Sequence, residues 1–258
     1  MINIETFLNT SMGKAVSALA DEMKAYDMPP VELNVIGGFA LMLRGVRDPN
    51  DITDIDYVGV DLYEKFNAVS EKIGVQYGME PGWINNDGML VGDSMDDFEI
   101  STGELHFEHA VTIGPISINV LTEKDLLRMK LIAVDTAMTE MEATGDFARR
   151  KDFSDIDILM RSQNMTPDDV MREFGEYILC EPDTFDLIDL IYEGGVSKAI
   201  QAVDKMSDDL KAMRQAHCAR GSSPYLENLM DQLMKRAEKM RLEDEDLDFS
   251  DDQNITIL

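Results

Sequence analysis

The chain has 258 residues, of which 44% are hydrophobic, and 23 basic against 51 acidic residues give a formal net charge of −28. This length suits one large or two modest domains with a substantial core. Because so negative a surface repels phosphate backbones, general coating of DNA or RNA is excluded.

The sequence also lacks the marks of a membrane or secreted protein. It has no apolar run of about eighteen residues and no basic-then-apolar order at its N-terminus. We therefore expect no membrane partner. The two cysteines, Cys180 and Cys218, form no CxxC pair, which predicts a reducing, cytoplasmic location.

The first part of the chain predicts a mixed α/β unit. In chain order, the predicted elements are a helix over 3–27, a strand over 32–38, a helix over 39–45, a turn over 47–51, a strand over 53–60 and a helix over 61–74 with Asp61 as its N-cap. The strand over 32–38 ends in the pair Gly37-Gly38. Residues 75–95 are glycine-rich and predict a loop.

Residues 104–121 predict a β-hairpin around a Gly114-Pro115 turn. If Ile113 lies opposite Ile116, strand alternation places Ala110 opposite Asn119. His109 then falls on the apolar face. The predicted polar face carries Glu104, His106, Glu108, Ser117 and Asn119.

From Thr122 onward the pattern is helical, and Thr122 is the predicted cap of the first helix, with Asp125 three residues on. A last helix is predicted over 223–243, followed by an acid-rich tail that we expect to be disordered. The predicted fold is therefore α+β, a small mixed sheet flanked by helices and then a helical region. The predicted domains are 1–121, 122–242 and the tail 243–258.

Two features of the α/β unit together predict phosphate chemistry. Gly37 and Gly38 lie between a strand and a helix N-terminus, where backbone N–H groups can meet an anion. Asp54 and Asp56 lie two apart on the next strand, so both point to one face and can share Mg²⁺. Alone, a glycine pair often serves packing and an Asp pair often faces solvent. The combination favours metal-assisted phosphoryl or nucleotidyl transfer.

These residues resemble the polymerase-β-type nucleotidyltransferases, in which a glycine pair, a helix and a strand bearing Asp-x-Asp follow one another. The similarity covers residues 33–60 and 116–160. The segments INVLTEKDLLRMKLIA and RRKDFSDIDILM resemble the branch that contains abortive-infection-type nucleotidyltransferase toxins.

The resemblance implies the nucleotidyltransferase fold and transfer of a nucleoside monophosphate from an NTP to a hydroxyl. The implied roles are triphosphate binding for Gly37 and Gly38, binding of two Mg²⁺ ions for Asp54 and Asp56, phosphate neutralisation for Lys130, and membership of the later helical motif for Lys151, Asp152 and Asp155.

The sequence departs from the family pattern in two places. Fifteen residues separate Gly38 from Asp54, slightly more than is usual there. Asn119 occupies the position of the third carboxylate, and an amide cannot take a proton. In the predicted hairpin register Glu108 lies diagonal to Asn119, so Glu108 is a candidate replacement metal ligand.

Several basic and aromatic residues have two interpretations. Arg44 and Arg47 either contact phosphates or are surface arginines, and Lys130 either neutralises phosphate or is a surface lysine. The basic segment 148–152 either binds the triphosphate or pairs with nearby acids. Trp83 either stacks on a base or anchors a loop.

The first functional hypothesis is a Mg²⁺-dependent nucleotidyltransferase acting on an RNA end, a protein or a small molecule, in a toxin–antitoxin or phage-defence system. The second is a weakened or inactive nucleotide-binding protein on the same scaffold, because Asn119 replaces an acid. The sequence does not predict the base, the acceptor or the oligomeric state.

Overall fold

The structure, a computed structural model, describes residues 4–59, 62–86, 104–178 and 183–219, with side chains up to residue 215. The chain divides into two compact units, residues 1–205 and 206–258, and the described part of the second unit belongs to one helix. The predicted domain boundaries stay predictions. The predicted Asp61 cap, the helix over 223–243, the acidic tail and the side chains of both cysteines lie outside the described residues.

The described helices and strands follow the predicted order except that a short strand lies in the predicted loop over 75–95 and the N-terminal helix is divided in two. The helices are α1 (Ile4–Asn9), α2 (Ser11–Ala25), α3 (Gly37–Leu43), α4 (Glu64–Tyr77), α5 (Glu123–Thr144), α6 (Asp152–Ser162), α7 (Pro167–Phe174), α8 (Asp183–Asp189) and α9 (Val196–Ala219). The strands are β1 (Val31–Val35), β2 (Ile55–Val58), β3 (Ile84–Asn85), β4 (Phe107–Ile113) and β5 (Ile116–Leu121). Within the described ranges, no helix has the length and apolar character needed to cross a membrane.

The described strands form one five-stranded mixed sheet in the order β3-β2-β1-β5-β4. β1 runs antiparallel to β2 and parallel to β5. The outer pairs are β2–β3, which is parallel, and β4–β5, which is antiparallel. The helices flank this sheet and continue after it, so the predicted α+β fold class is confirmed.

Strand alternation divides the sheet into an apolar and a polar face. The apolar face consists of Val31, Leu33, Val35, Ile116, Ile118 and Val120, all buried. The polar face consists of Glu32, Asn34, Ser117 and Asn119, which are exposed or half-buried. Residues directly opposite each other share a face, and Asn34 lies opposite Val58. Asp56 and Asp54 are two and four residues before Val58, so strand alternation assigns both to the polar face as well.

The predicted N-terminal helix is two helices rather than one. The Thr10 hydroxyl accepts a hydrogen bond from the Gly13 N–H at 2.9 Å, which caps α2 and separates it from α1. Phe7 of α1 contacts Phe39 of α3 edge-on, with ring centroids 5.1 Å apart. The break therefore turns α1 so that its buried phenylalanine reaches the helix that follows β1.

The hairpin register is correct near the turn and wrong beyond it. Ile113 lies opposite Ile116 and Val111 opposite Ile118, as predicted, but a bulge at Ala110 places His109 opposite Asn119. The extra residue shifts the alternation by one position. His109 therefore lies on the polar face and Glu108 on the opposite face, the reverse of the predicted arrangement.

Candidate functional site

The twin-glycine turn, Gly37 and Gly38, lies where β1 passes into α3. Gly37 has a φ of +60°, and a Cβ added there would lie 2.6 Å from Asp56 Oδ2. Both the left-handed backbone and this close approach require glycine. The Asp56 carboxylate therefore contacts the turn directly, which is the proximity that the sequence predicts.

Asp56 lies in β2 between two buried residues, and Asp54 directly precedes this strand. Ile55 and Tyr57 are 0% and 5% exposed, whereas both aspartates are half-buried. The Asp56 carbonyl accepts the Ile36 N–H at 3.0 Å, which fixes the strand beside the turn. The Asp56 carboxylate thus lies at the end of β1, and strand alternation would direct the Asp54 side chain to the same side.

Four charged residues from three segments form a charge cluster beside this turn: Arg47, Lys130, Asp152 and Asp155. Lys130 Nζ lies 2.6 Å from Asp152 Oδ1 and 3.1 Å from Asp155 Oδ2. Arg47 donates from Nε to Asp155 Oδ1 at 2.9 Å and from Nη2 to Asp155 Oδ2. Arg47 Nη2 also donates to Asp152 Oδ1 at 3.4 Å.

The charge cluster is buried and close to electrically balanced. Asp152 is 0% and Asp155 3% exposed, and burying such charges is tolerated only when they are paired. The hydrogen bond that Arg47 donates to Asp155, together with the charges of Asp155 and Asp152, raises the pKa of Arg47 above its ordinary value, against the effect of burial. Asp152 Oδ2 has no hydrogen-bond partner among the described residues, and Arg149 lies 3.7 Å from it.

Lys130 is thus a buried partner of two aspartates, so the surface-lysine alternative is wrong. Its predicted role in neutralising phosphate stays a prediction. The acids that neutralise Lys130 and Arg47 belong to α6, which contains most of the segment RRKDFSDIDILM. The ion pairing predicted for the basic segment 148–152 is present at Arg149, and Arg150 Nε pairs instead with Asp204 Oδ1 at 2.6 Å.

Arg44 joins α3 to the end of β5. Its Nε and Nη2 donate to the Leu121 carbonyl at 3.1 and 2.9 Å, and its Nη1 donates to Glu108 Oε2 at 2.7 Å. Arg44 therefore has a structural role in the described chain. Because Glu108 pairs with Arg44 and lies on the other face from Asn119, we leave Glu108 out of the proposed metal site.

Asn119 belongs to a polar network on the open sheet face. Its amide donates to Glu32 Oε1 at 2.8 Å and to Asn34 Oδ1 at 2.9 Å, and its Oδ1 lies 3.3 Å from His109 Nδ1. β1 separates β5 from β2, so Asn119 and Asp56 are two strand spacings apart, roughly 10 Å across the sheet. Asn119 is therefore not adjacent to the paired aspartates.

Lys151 lies on the surface immediately before α6. It lines a cleft of about 370 Å³ together with Val46, Arg47, Asp48, Asp51, Ser154 and Asp155. The cleft lies beside the charge cluster and carries charges of both signs. The proposed contact of Lys151 with a nucleotide stays a prediction.

Trp83, the candidate for base stacking, and His106, from the predicted polar face of the hairpin, both have structural contacts. Trp83 is 1% exposed and donates from Nε1 to the Ser70 carbonyl at 2.9 Å, so it anchors its loop and is not available to stack on a base. The His106 ring, which is largely exposed, has Nδ1 3.2 Å from Asp125 Oδ2. Asp125 also donates its backbone N–H to Thr122 Oγ1 at 3.2 Å, which confirms the predicted cap of α5.

No protein-family model, curated protein or solved structure matches this chain. Among the described residues, no group of three or more His, Cys, Asp and Glu side chains is arranged to hold a metal ion. Two carboxylates still fit Mg²⁺, which commonly takes one or two from the protein and the rest of its ligands from phosphates and water. Asp54 and Asp56 would therefore need further ligands from outside the protein to hold such an ion.

One neighbour of the site could not be anticipated. Asn85 of β3 lies opposite Asp56 in a parallel pairing, so it borders the same face. Parallel pairing joins strands that are distant in sequence and has no turn to mark it. The two-residue length of β3 also leaves no alternation for a sequence pattern to detect.

Proposed function

We propose that this chain is a Mg²⁺-dependent nucleotidyltransferase that transfers a nucleoside monophosphate from an NTP to a hydroxyl and releases pyrophosphate. The observation that carries the proposal is the contact of Asp56 with Gly37, since a Cβ there would lie 2.6 Å from the carboxylate. A phosphate chain at the turn would thereby lie beside a carboxylate that can bind its metal. The motif resemblance to polymerase-β-type enzymes supports the same reaction.

Each part of the site has a task in this proposal. Asp54 and Asp56 would hold two Mg²⁺ ions, which when bound would neutralise phosphate charge and lower the pKa of the attacking hydroxyl. Gly37 and Gly38 allow the phosphates close to the backbone. The buried charge cluster fixes the segment before Asp54 against α6, so that the two carboxylates keep their positions.

Two glycine substitutions test the contact that carries the proposal. Gly37→Ala places a methyl group against Asp56, whereas Gly45→Ala shares the left-handed backbone, with φ of +76°, but meets nothing within 4 Å. We expect Gly37→Ala alone to abolish Mg²⁺-dependent thermal stabilisation by NTPs and pyrophosphate release. Equal effects of the two substitutions would show that backbone strain, not the Asp56 contact, is responsible.

A carboxylate substitution tests the metal ligands. Asp54→Asn combined with Asp56→Asn removes the proposed ligands, and Asp21→Asn removes an acid that is 81% exposed on α2. The double substitution should abolish both NTP stabilisation and pyrophosphate release, and Asp21→Asn should leave both intact. NTP stabilisation that survives the double substitution would contradict the metal assignment.

The alternative is a nucleotide-binding protein without transferase activity. The observation that favours it is that no group of three or more His, Cys, Asp and Glu side chains among the described residues is arranged to hold a metal ion. Such a protein would show Mg²⁺-dependent NTP binding at the same aspartates but no pyrophosphate release with RNA, protein or small-molecule acceptors. Parallel binding and release assays separate the two functions.

A cytoplasmic location and a role in a toxin–antitoxin or phage-defence system belong to this proposal as expectations of the resemblance. Expression of the intact chain and of the Asp54→Asn, Asp56→Asn variant in a bacterial host tests the toxin role. Growth arrest by the intact chain alone is the expected result.

A further inference from the structure

Arg47 has one free edge of its guanidinium. Its Nε and Nη2 both donate to Asp155, and Nη2 also reaches Asp152. Its Nη1 has no hydrogen bond or ion pair with any described residue. Because a Cβ on Gly38 would lie 3.3 Å from Nη1, this free edge lies directly over the twin-glycine turn.

We infer that Arg47 Nη1 is the phosphate-binding donor of the twin-glycine turn, and that Asp155 and Asp152 are positioning residues that orient the guanidinium. This inference rests on the proposed function, since it names the group that would contact the triphosphate. Arginine suits the role because its planar fork binds two partners at once and stays charged.

The burial of the cluster explains how an arginine beside two acids can still bind an anion. Both carboxylates are almost fully buried and are shared with Lys130, so two cations balance two anions. The Arg47 side chain is 16% exposed, so one edge remains accessible. Arg47 can thus add a charge-assisted hydrogen bond without leaving Asp155.

Two asparagine substitutions separate orientation from net charge. Asp155→Asn removes the carboxylate that holds Nε and Nη2, and Asp51→Asn removes an acid whose charge also acts on Arg47 but which makes no hydrogen bond to it in the described chain. If only charge mattered, both substitutions would strengthen the binding of a polyanion. Orientation by Asp155 predicts opposite signs.

The experiment measures the dissociation constants of pyrophosphate and of each NTP, with and without Mg²⁺, by isothermal titration calorimetry on the full chain. We expect Asp155→Asn to weaken binding about tenfold, the order of one lost charge-assisted hydrogen bond, and Asp51→Asn to leave it equal or tighter. Arg47→Lys, which retains the charge but has no free Nη1, should weaken binding similarly. Measurements are made below the unfolding transition of each variant.

The outcomes for the inference and for the proposed function are distinguishable. Tighter binding in Asp155→Asn, or unchanged binding in Arg47→Lys, would overturn the inference even if transferase activity is found. Pyrophosphate binding that follows the predicted order, without pyrophosphate release from any NTP, would support the inference and remove the transferase function. Absence of pyrophosphate and NTP binding in the unsubstituted chain would overturn both.

Discussion

Replacement of Lys130 by methionine decides whether this lysine is a structural cation. The substitution keeps an apolar side chain of similar length and removes the ammonium that lies 2.6 Å from Asp152 and 3.1 Å from Asp155. Asp152, which is 0% exposed, would then retain, among the cations of the described residues, the 3.4 Å contact from Arg47 and the 3.7 Å contact from Arg149. A buried carboxylate would be left largely uncompensated.

The expected loss of stability is large. Removing one partner of a buried ion pair costs about 3–5 kcal/mol, a substantial part of the roughly 5–15 kcal/mol that keeps a domain folded. For a unit of this size, each kcal/mol lowers the melting temperature by about 2–4 °C, so we expect a fall of roughly 6–20 °C. Thermal and urea unfolding followed by circular dichroism measure this change.

Two companion variants make the prediction specific. Lys72→Met removes an exposed pair with Glu22 at 3.3 Å and should cost at most about 1 kcal/mol. Adding Asp152→Asn to Lys130→Met removes the uncompensated charge and should restore part of the stability. The reasoning is refuted if Lys130→Met destabilises the chain no more than Lys72→Met does, because the Lys130 ammonium would then contribute no more to stability than an exposed ion pair.

Two further predictions concern a glycine and a helix cap. Gly74→Ala would stabilise an ordinary helix, but here the added Cβ would lie 2.5 Å from Trp83 Nε1. We therefore expect the substitution to destabilise the fold by about 1–3 kcal/mol and to shift the fluorescence of Trp83, the single tryptophan. An unchanged emission spectrum would contradict this prediction. Hydrogen bonds from the Thr166 backbone and hydroxyl, and then from Arg172, lower the pKa of Asp169 to about 2. The stabilisation of the fold by Asp169 is therefore present above about pH 4 and should be lost as the pH falls toward about 2. NMR titration of the Asp169 carboxyl carbon measures this pKa, and the unfolding free energy of the Asp169→Asn variant across the same pH range is the comparison.

The elements of the α/β unit were predictable because local patterns determine them. The alternation of buried residues in β1 and β5 and the Gly114-Pro115 turn are signals within a few residues of one another. The bulge at Ala110 was not predictable, because it adds one residue without changing the alternation of either half of β4. That single residue exchanged the faces of His109 and Glu108 and removed the reason to consider Glu108 as a metal ligand.

The site was predictable only where its residues are close in sequence. Gly37 and Asp56 are brought together by the antiparallel pairing of β1 with β2, and the motif pattern anticipates that contact. The pairing of Arg47 with Asp155 spans 108 positions, and no periodicity connects the loop before β2 to α6. Sequence reasoning could name both residues but could not assign them to each other.

The place of Asn119 changes the meaning of its identity. The motif resemblance treats it as a lost third carboxylate, which would argue for a weakened enzyme. With β1 between β5 and β2, and with the amide bonded to Glu32 and Asn34, a carboxylate at this position would face another acid instead of a metal at Asp56. Asn119→Asp is therefore expected to weaken the polar network without creating activity, and the choice between transfer and binding depends on the two aspartates and Arg47 at the twin-glycine turn.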